Sequence, residues 1–195
     1  MDEPAAPPPA QPARPTPRRN PWLALVMVVL AGVAIGWLAW SLFTPGRTYE
    51  RSLPDISLER LEGGELQLSS LTGQPVVINL WATWCIPCLR ELPMMADAMR
   101  REPSVRFLFA DQGEPRGTVE SYLAEHSEME LRGVLLDRNQ ALNVEFQTPG
   151  LPMTLFFDEH GNHVHSHIGE MTEEQLASYV TDLKAGNLTT LAGQL

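Results

Sequence analysis

Apolar and polar side chains change rhythm several times along the chain, and each change marks an element. From Trp22 to Phe43 there is no charged residue. A helix of that length, rising 1.5 Å per residue, crosses a hydrocarbon core of about 30 Å, and Trp22, Trp37 and Trp40 suit its two interfaces. A membrane span over 22–43 is therefore expected. A cleaved leader would have a shorter apolar region and a small-x-small site, which Leu38-Ala39-Trp40-Ser41-Leu42 does not offer. After a linker over 44–52, Ile56-Ser57-Leu58-Glu59 and Leu66-Gln67-Leu68 alternate around Glu62-Gly63-Gly64, which predicts a β-hairpin. Val76–Trp81 is almost continuously apolar, as a strand buried on both faces is. A helix to about Arg101 follows, then an apolar strand at Val105–Ala110 and a helix from Pro115 to His126. Gly133–Leu136 reads as a short strand and Asn139–Phe146 as a helical stretch. Thr154–Asp158 and His163–Ile168 flank Glu159-His160-Gly161-Asn162 and predict a second hairpin. Thr172 caps a last helix, with Glu173 and Glu174 in its first turn and Lys184 near its end.

Strands that alternate with helices, then a hairpin and a closing helix, indicate an α/β sheet covered on both faces. The domain occupies residues 53–186, with a C-terminal tail over 187–195. Composition adds one segment. Residues 1–21 hold eight of the 17 prolines and almost no large apolar side chain, so they are expected to form a disordered tail. Charge then removes a class of function. Residues 44–195 carry 11 basic against 22 acidic side chains, a net of −11, and such a domain is a poor nucleic-acid binder. Arginines stand on both sides of the apolar run, Arg14, Arg18 and Arg19 before it and Arg47 and Arg51 after it. Charge alone therefore sets its orientation only weakly.

The chain has two cysteines, Cys85 and Cys88. The loop they close is too short to constrain an unfolded chain much, and two thiols without nearby histidines do not make a four-ligand zinc site. A buried strand followed by Cys-x-x-Cys at the opening of a helix is the redox arrangement. Cys85 falls at the helix N-terminus, where free amides and the macrodipole favour its thiolate. It is expected to be the exposed nucleophile, with Cys88 the resolving thiol one turn on.

Trp81-Ala82-Thr83-Trp84-Cys85-Ile86-Pro87-Cys88, followed by Glu91-Leu92-Pro93, resembles the thioredoxin superfamily. Within it the chain is similar to the bacterial membrane-anchored thiol–disulfide oxidoreductases of the TlpA, ResA and CcmG kind, over about residues 50 to 185. Gly150-Leu151-Pro152-Met153-Thr154 matches the family's cis-proline segment. The resemblance implies a thioredoxin-like fold, a central mixed sheet flanked by helices, with an N-terminal β-hairpin, a central insert and one transmembrane helix. It implies a cis Pro152 opposite the cysteines, with Leu151, Trp84 and Pro87 against the substrate, and Pro93 kinking the active-site helix. Thioredoxin has a buried aspartate where this chain has Asn79; Glu91 matches the family's replacement for that proton acceptor. Leu151 and Met153 stand where the family often has smaller or polar residues.

For function, the resemblance implies a periplasmic reductase of protein disulfides, of the kind that serves cytochrome c or copper-site assembly. No cofactor is implied beyond the redox-active cysteine pair. The electron donor would be a membrane protein of the DsbD or CcdA kind. The placement implied is a single pass of the bacterial inner membrane, with residues 1–21 in the cytoplasm and the domain in the periplasm, where disulfide exchange is chiefly needed. Two alternatives stay open at this point: a net oxidant of protein disulfides, and a copper-binding chaperone in which both thiolates hold Cu(I). His163, His165 and His167 recur at period two, on one face of a strand. Such a row is either a metal site or a solvated edge.

Overall fold

The structure is a computed structural model that describes residues 52–188 and, before them, Trp22, Val26, Met27, Val29, Leu30, Gly32 and Val33, all helical and exposed. The expected tail over 1–21, the linker over 44–51, the rest of the span over 22–43 and residues 189–195 lie outside the described residues. Among the described residues no helix is long and apolar enough to cross a membrane.

Seven strands form one mixed sheet: β1 (Ser57–Arg60), β2 (Glu65–Gln67), β3 (Val76–Trp81), β4 (Arg106–Gln112), β5 (Val134–Asp137), β6 (Met153–Phe157) and β7 (His163–Ile168). Their order is β2-β1-β5-β4-β3-β6-β7. The centre, β5-β4-β3, is parallel. Both flanks are antiparallel, with β1 on β5 and β6 on β3. Helices α1 (Ile86–Arg101), α2 (Arg116–Glu125), α3 (Ala141–Phe146) and α4 (Glu173–Lys184) connect and close it.

The apolar residues divide into two layers. Val77 and Trp81 of β3 pack with Leu92 and Met95 of α1, Val119 of α2 and Leu176, Val180 and Leu183 of α4. Val76, Ile78 and Leu80 face the other way, with Leu142 and Phe146 of α3 and Leu58 and Leu66 of the first hairpin. Burial on both sides explains why every residue of β3 is inside and why the strand reads as a continuous apolar run. A sheet covered on both faces is what the alternation predicted.

Local signals placed most element ends. Thr172 and Gln175 make a reciprocal capping box at α4: Gln175 N–H donates to Thr172 Oγ1 at 3.2 Å and Thr172 N–H to Gln175 Oε1 at 2.9 Å. Pro115 is the N-cap of α2 rather than part of its first turn. Pro93 lies inside α1, which continues through it to Arg101; it removes the N–H that would reach the Leu89 carbonyl. Gly133, just before β5, has φ +70°, and a Cβ there would stand 2.8 Å from the Phe107 carbonyl oxygen. Only glycine fits that close approach.

Two corrections concern polar residues. β4 runs on through Asp111 and Gln112, two residues past the expected end, because Asp111 still pairs with Trp81 and Gln112 with Asp137. The histidine row is also broken. A bulge between Phe156 and Phe157 shifts the β6–β7 register. His163 then meets Phe146 and Phe157 of one layer at a tilt, whereas His165 meets Phe156 and Tyr179 of the other and His167 meets Tyr179. An extra residue in one strand turns the side chains beyond it to the opposite face. The three imidazoles therefore do not converge, and among the described residues no group of three His, Cys, Asp or Glu is arranged to hold a metal ion.

The chain enters the domain beside the second hairpin. Ser52 bridges to Asn162, and Leu53 N–H donates to the Gly161 carbonyl at 2.8 Å.

Candidate active site

β3 ends at Trp81, and the four-residue approach Ala82-Thr83-Trp84-Cys85 turns into α1. Cys85 N–H closes the turn on the Ala82 carbonyl at 3.1 Å, and the Cys85 carbonyl receives Leu89 N–H at 3.1 Å. Cys85 is thus the N-cap of α1. Its Sγ takes the place of the usual capping oxygen and accepts Cys88 N–H at 3.3 Å. Cys85 and Cys88 are joined in a disulfide, with Cα atoms 5.2 Å apart. Pro87 sits in the first turn, where the missing N–H leaves no intrahelical bond unmade.

Cys85 is less exposed than the sequence reading expected: it retains 5% of its surface and Cys88 none. The outer surface here is instead Trp84 and Ile86, 63% and 62% exposed.

Leu151–Pro152 is a cis peptide bond. Pro152 immediately precedes the Met153↔Leu80 pair of β6 and β3, which puts it at the end of the sheet that carries the cysteines. Gly169 N–H donates to the Pro152 carbonyl at 2.9 Å. Leu151 is half-buried and touches both apolar layers.

Glu91 is one turn after Cys88 on α1 and is buried. Asn79 Nδ2 donates to its Oε1 at 2.8 Å and Met171 N–H to its Oε2 at 3.0 Å. Asn79 Nδ2 also reaches Thr154 Oγ1 at 3.0 Å. Burial raises the Glu91 carboxyl to about 7, although the bonds from Met171 and Asn79 act in the opposite sense. A group that exchanges its proton near neutrality, one turn from Cys88, is equipped for acid–base work. Sequence reasoning placed Glu91 and missed what holds it, since Met171 is 80 residues away.

A second carboxyl group went unnoticed in the sequence. Glu114 Oε2 accepts Thr83 N–H at 2.6 Å and its Oε1 accepts the Thr83 hydroxyl at 2.7 Å. Glu114 N–H donates in turn to Asp111 Oδ1 at 3.0 Å. Glu114 and Asp111 are both buried. Their spacing at the end of an apolar strand looks like an ordinary acidic loop.

Comparison with known proteins agrees with this geometry. The Redoxin family model matches residues 49–183. The thiol-disulfide oxidoreductase ResA of Geobacillus kaustophilus strain HTA426 is 32% identical over 166 residues, covering 83% of this chain and 93% of that protein. ResA of Halalkalibacterium halodurans is 28% identical over 172 residues, with 86% and 97% covered. Among solved structures, MTB DsbF in its mixed oxidized and reduced forms superposes with a TM-score of 0.61 at 26% identity, covering 66% of this chain and 95% of that one. StoA of Bacillus subtilis, at 24% identity and a TM-score of 0.56 over 65% of this chain and 99% of its own, shares the fold.

Proposed function

The chain belongs to the Redoxin family and is a thiol–disulfide oxidoreductase, and from that premise we propose that it is a reductase of protein disulfides working outside the cytoplasm. The observation that carries the proposal is the cysteine pair itself, with Cys85 as the N-cap of α1 and Cys88 buried one turn on. In the reduced protein the Cys85 thiolate, held by the Cys88 amide and the helix start, attacks one sulfur of a substrate disulfide. That bond breaks, the other substrate sulfur leaves as a thiolate and takes a proton from water, and a mixed disulfide remains. Cys88 gives its proton to Glu91 and attacks Cys85 Sγ. The second substrate sulfur leaves as a thiolate and takes up the proton that Glu91 gives back, and the Cys85–Cys88 disulfide forms. The substrate is reduced by two electrons and the protein oxidised by two.

Trp84, Pro87 and Leu151 surround the point of attack, and Pro152 presents the strand end on which an extended substrate segment lies. Renewed activity needs a membrane dithiol donor, of the DsbD or CcdA kind, to reduce the pair. A span over 22–43 keeps the domain near such a donor on the periplasmic side of a bacterial inner membrane. The charge-free run and the exposed helical Met27, Val29, Leu30 and Val33 support that anchor. Cytochrome c or copper-site assembly is the task that the resemblance of the cysteine and cis-proline motifs implies.

Mixing the reduced full chain with a disulfide-bonded protein tests the reading. The expected result is stoichiometric loss of the substrate disulfide and gain of Cys85–Cys88. No transfer in either direction would overturn it.

A further inference from the structure

Two buried carboxyl groups stand behind the cysteine loop with no part in the exchange steps. Glu114 turns both oxygens on a single residue, Thr83, and takes its amide and its hydroxyl at 2.6 and 2.7 Å. Thr83 is two residues before Cys85. Trp84, between them, is largely exposed, so little packing restrains this segment from outside. The Glu114 clamp is what fixes it from within.

Asp111 secures the clamp. Its Oδ1 accepts Glu114 N–H at 3.0 Å. Its Oδ2 is buried and meets no N–H or hydroxyl donor, while its carboxyl lies against that of Glu114. Two adjacent buried carboxyls cannot both ionise cheaply, and here the cost falls on Asp111. Asp137 faces the pair from β5, its carboxylate taking the Ala141 and Leu142 amides at 2.8 Å each and Gln112 Nε2 at 3.2 Å. Burial first, then Glu114 and Asp137, push Asp111 up to about 8.

We propose that Glu114 and Asp111 are positioning residues for thiol–disulfide exchange: Glu114, braced through its amide by Asp111, holds Thr83 at two points, and this sets the direction in which the Trp84–Cys85 segment presents Cys85 Sγ. The inference rests on the exchange reading above. Exchange requires three sulfurs in line, and small misplacements of a reacting atom cost large factors in rate. When Asp111 loses its proton, its new charge repels the neighbouring Glu114 carboxyl, and the clamp on Thr83 loosens.

The test uses the full chain and two readouts, the rate constant for exchange with a disulfide-bonded peptide and the pH profile of Cys85 alkylation by iodoacetamide. Glu114→Gln loses one acceptor to Thr83. It is expected to lower the exchange rate constant about tenfold, the effect of one charge-assisted hydrogen bond, and to displace the alkylation profile. The wild type is expected to lose rate above about pH 8; Asp111→Asn keeps hydrogens to donate at every pH, and in it that loss is expected to be absent. Thr83→Val should reproduce part of the Glu114→Gln effect, and the double variant should be no slower than Glu114→Gln alone. A purely structural role would not move the pH profile. Wild-type rate and profile in Glu114→Gln would overturn the inference; if that variant does not fold, wild-type behaviour of Thr83→Val overturns it instead. A wild-type chain that exchanges with no disulfide defeats the functional reading, whereas an active wild type with inert substitutions defeats only the clamp.

Discussion

Asn79 donates to Glu91 at 2.8 Å from the strand to the helix, tying the element that leads into the cysteine loop to the element that carries it. The sequence presents Asn79 as the loss of an acid. In the fold it is the donor that steadies an acid supplied from elsewhere, and it holds Thr154 of β6 with the same amide. Strand, helix and the cis-proline strand thus meet at one side chain.

Glu91 gives the first prediction. Its carboxyl is raised from 4.5 to about 7 in the folded protein, so between those values the folded state binds more protons than the unfolded one. Its contribution to stability is complete below about pH 4.5 and is lost as pH rises through 7. The magnitude is on the order of 3 kcal/mol. Asp111 acts in the same sense, so the difference between wild type and Glu91→Gln isolates Glu91. Denaturant unfolding at pH 5 and pH 8 should show a smaller loss of stability in Glu91→Gln, and equal losses would remove Glu91 as a titrating group.

The cysteines divide the labour in the second prediction. Cys88→Ser leaves a nucleophile with no resolving partner and should accumulate mixed disulfides with substrate, visible as adducts that dithiothreitol releases. Cys85→Ser should abolish turnover. Adducts on Cys85→Ser and none on Cys88→Ser would reverse the assignment.

A reducing couple is the third expectation. Between the cysteines stand Ile86 and Pro87, neither of which carries charge, and Pro87 has no amide to offer the sulfur. A buried Glu91 beside Cys88 opposes a second negative charge there. Strong oxidants depend on a stabilised thiolate, so this pair should lie nearer to thioredoxin's value of about −270 mV than to about −120 mV. Equilibration with a glutathione buffer measures it, and a potential above about −150 mV on that scale would favour the net oxidant.

The proposed anchor provides the fourth. A phosphatase reporter fused to the C-terminus is expected to be active in the periplasm of a bacterial host, where the proposed span over 22–43 would put the domain. Activity confined to a cytoplasmic reporter at the same point would invert the topology.

Gly133 provides the fifth. At φ +70°, with the Phe107 carbonyl oxygen 2.8 Å from any added Cβ, Gly133→Ala should lose about 1–3 kcal/mol. Thermal unfolding measures the loss. An unchanged midpoint would mean that β4 and β5 move apart freely.

Most of the fold was legible because its signals are local. Pro75 and a six-residue apolar run announce β3, Thr172 with its acidic first turn announces α4, and the Gly63-Gly64 and Gly161-Asn162 turns announce the hairpins. Cys85 and Cys88 were legible for the same reason. Asp111 was not. Linear patterning treats an acid after Ala110 as the end of a strand, whereas pairing with Trp81 keeps it inside. The partners of Glu91 and Thr83 come from 80 and 31 residues away, and no spacing in the chain encodes such distances. The break in the histidine row was not legible because one inserted residue in a strand leaves no mark in composition.

The bridge between Ser52 and Asn162 has a geometric consequence. β6 runs antiparallel to β3, so the turn after Phe157 lies at the start of β3, while Trp81 and the cysteine loop lie at its finish. The polypeptide therefore joins the domain at one pole of the sheet and performs its chemistry at the other, a six-residue strand or about 20 Å away. A partner that meets the domain at Ser52 and Asn162 and a partner that docks on Trp84 would therefore use surfaces at opposite ends of the strand.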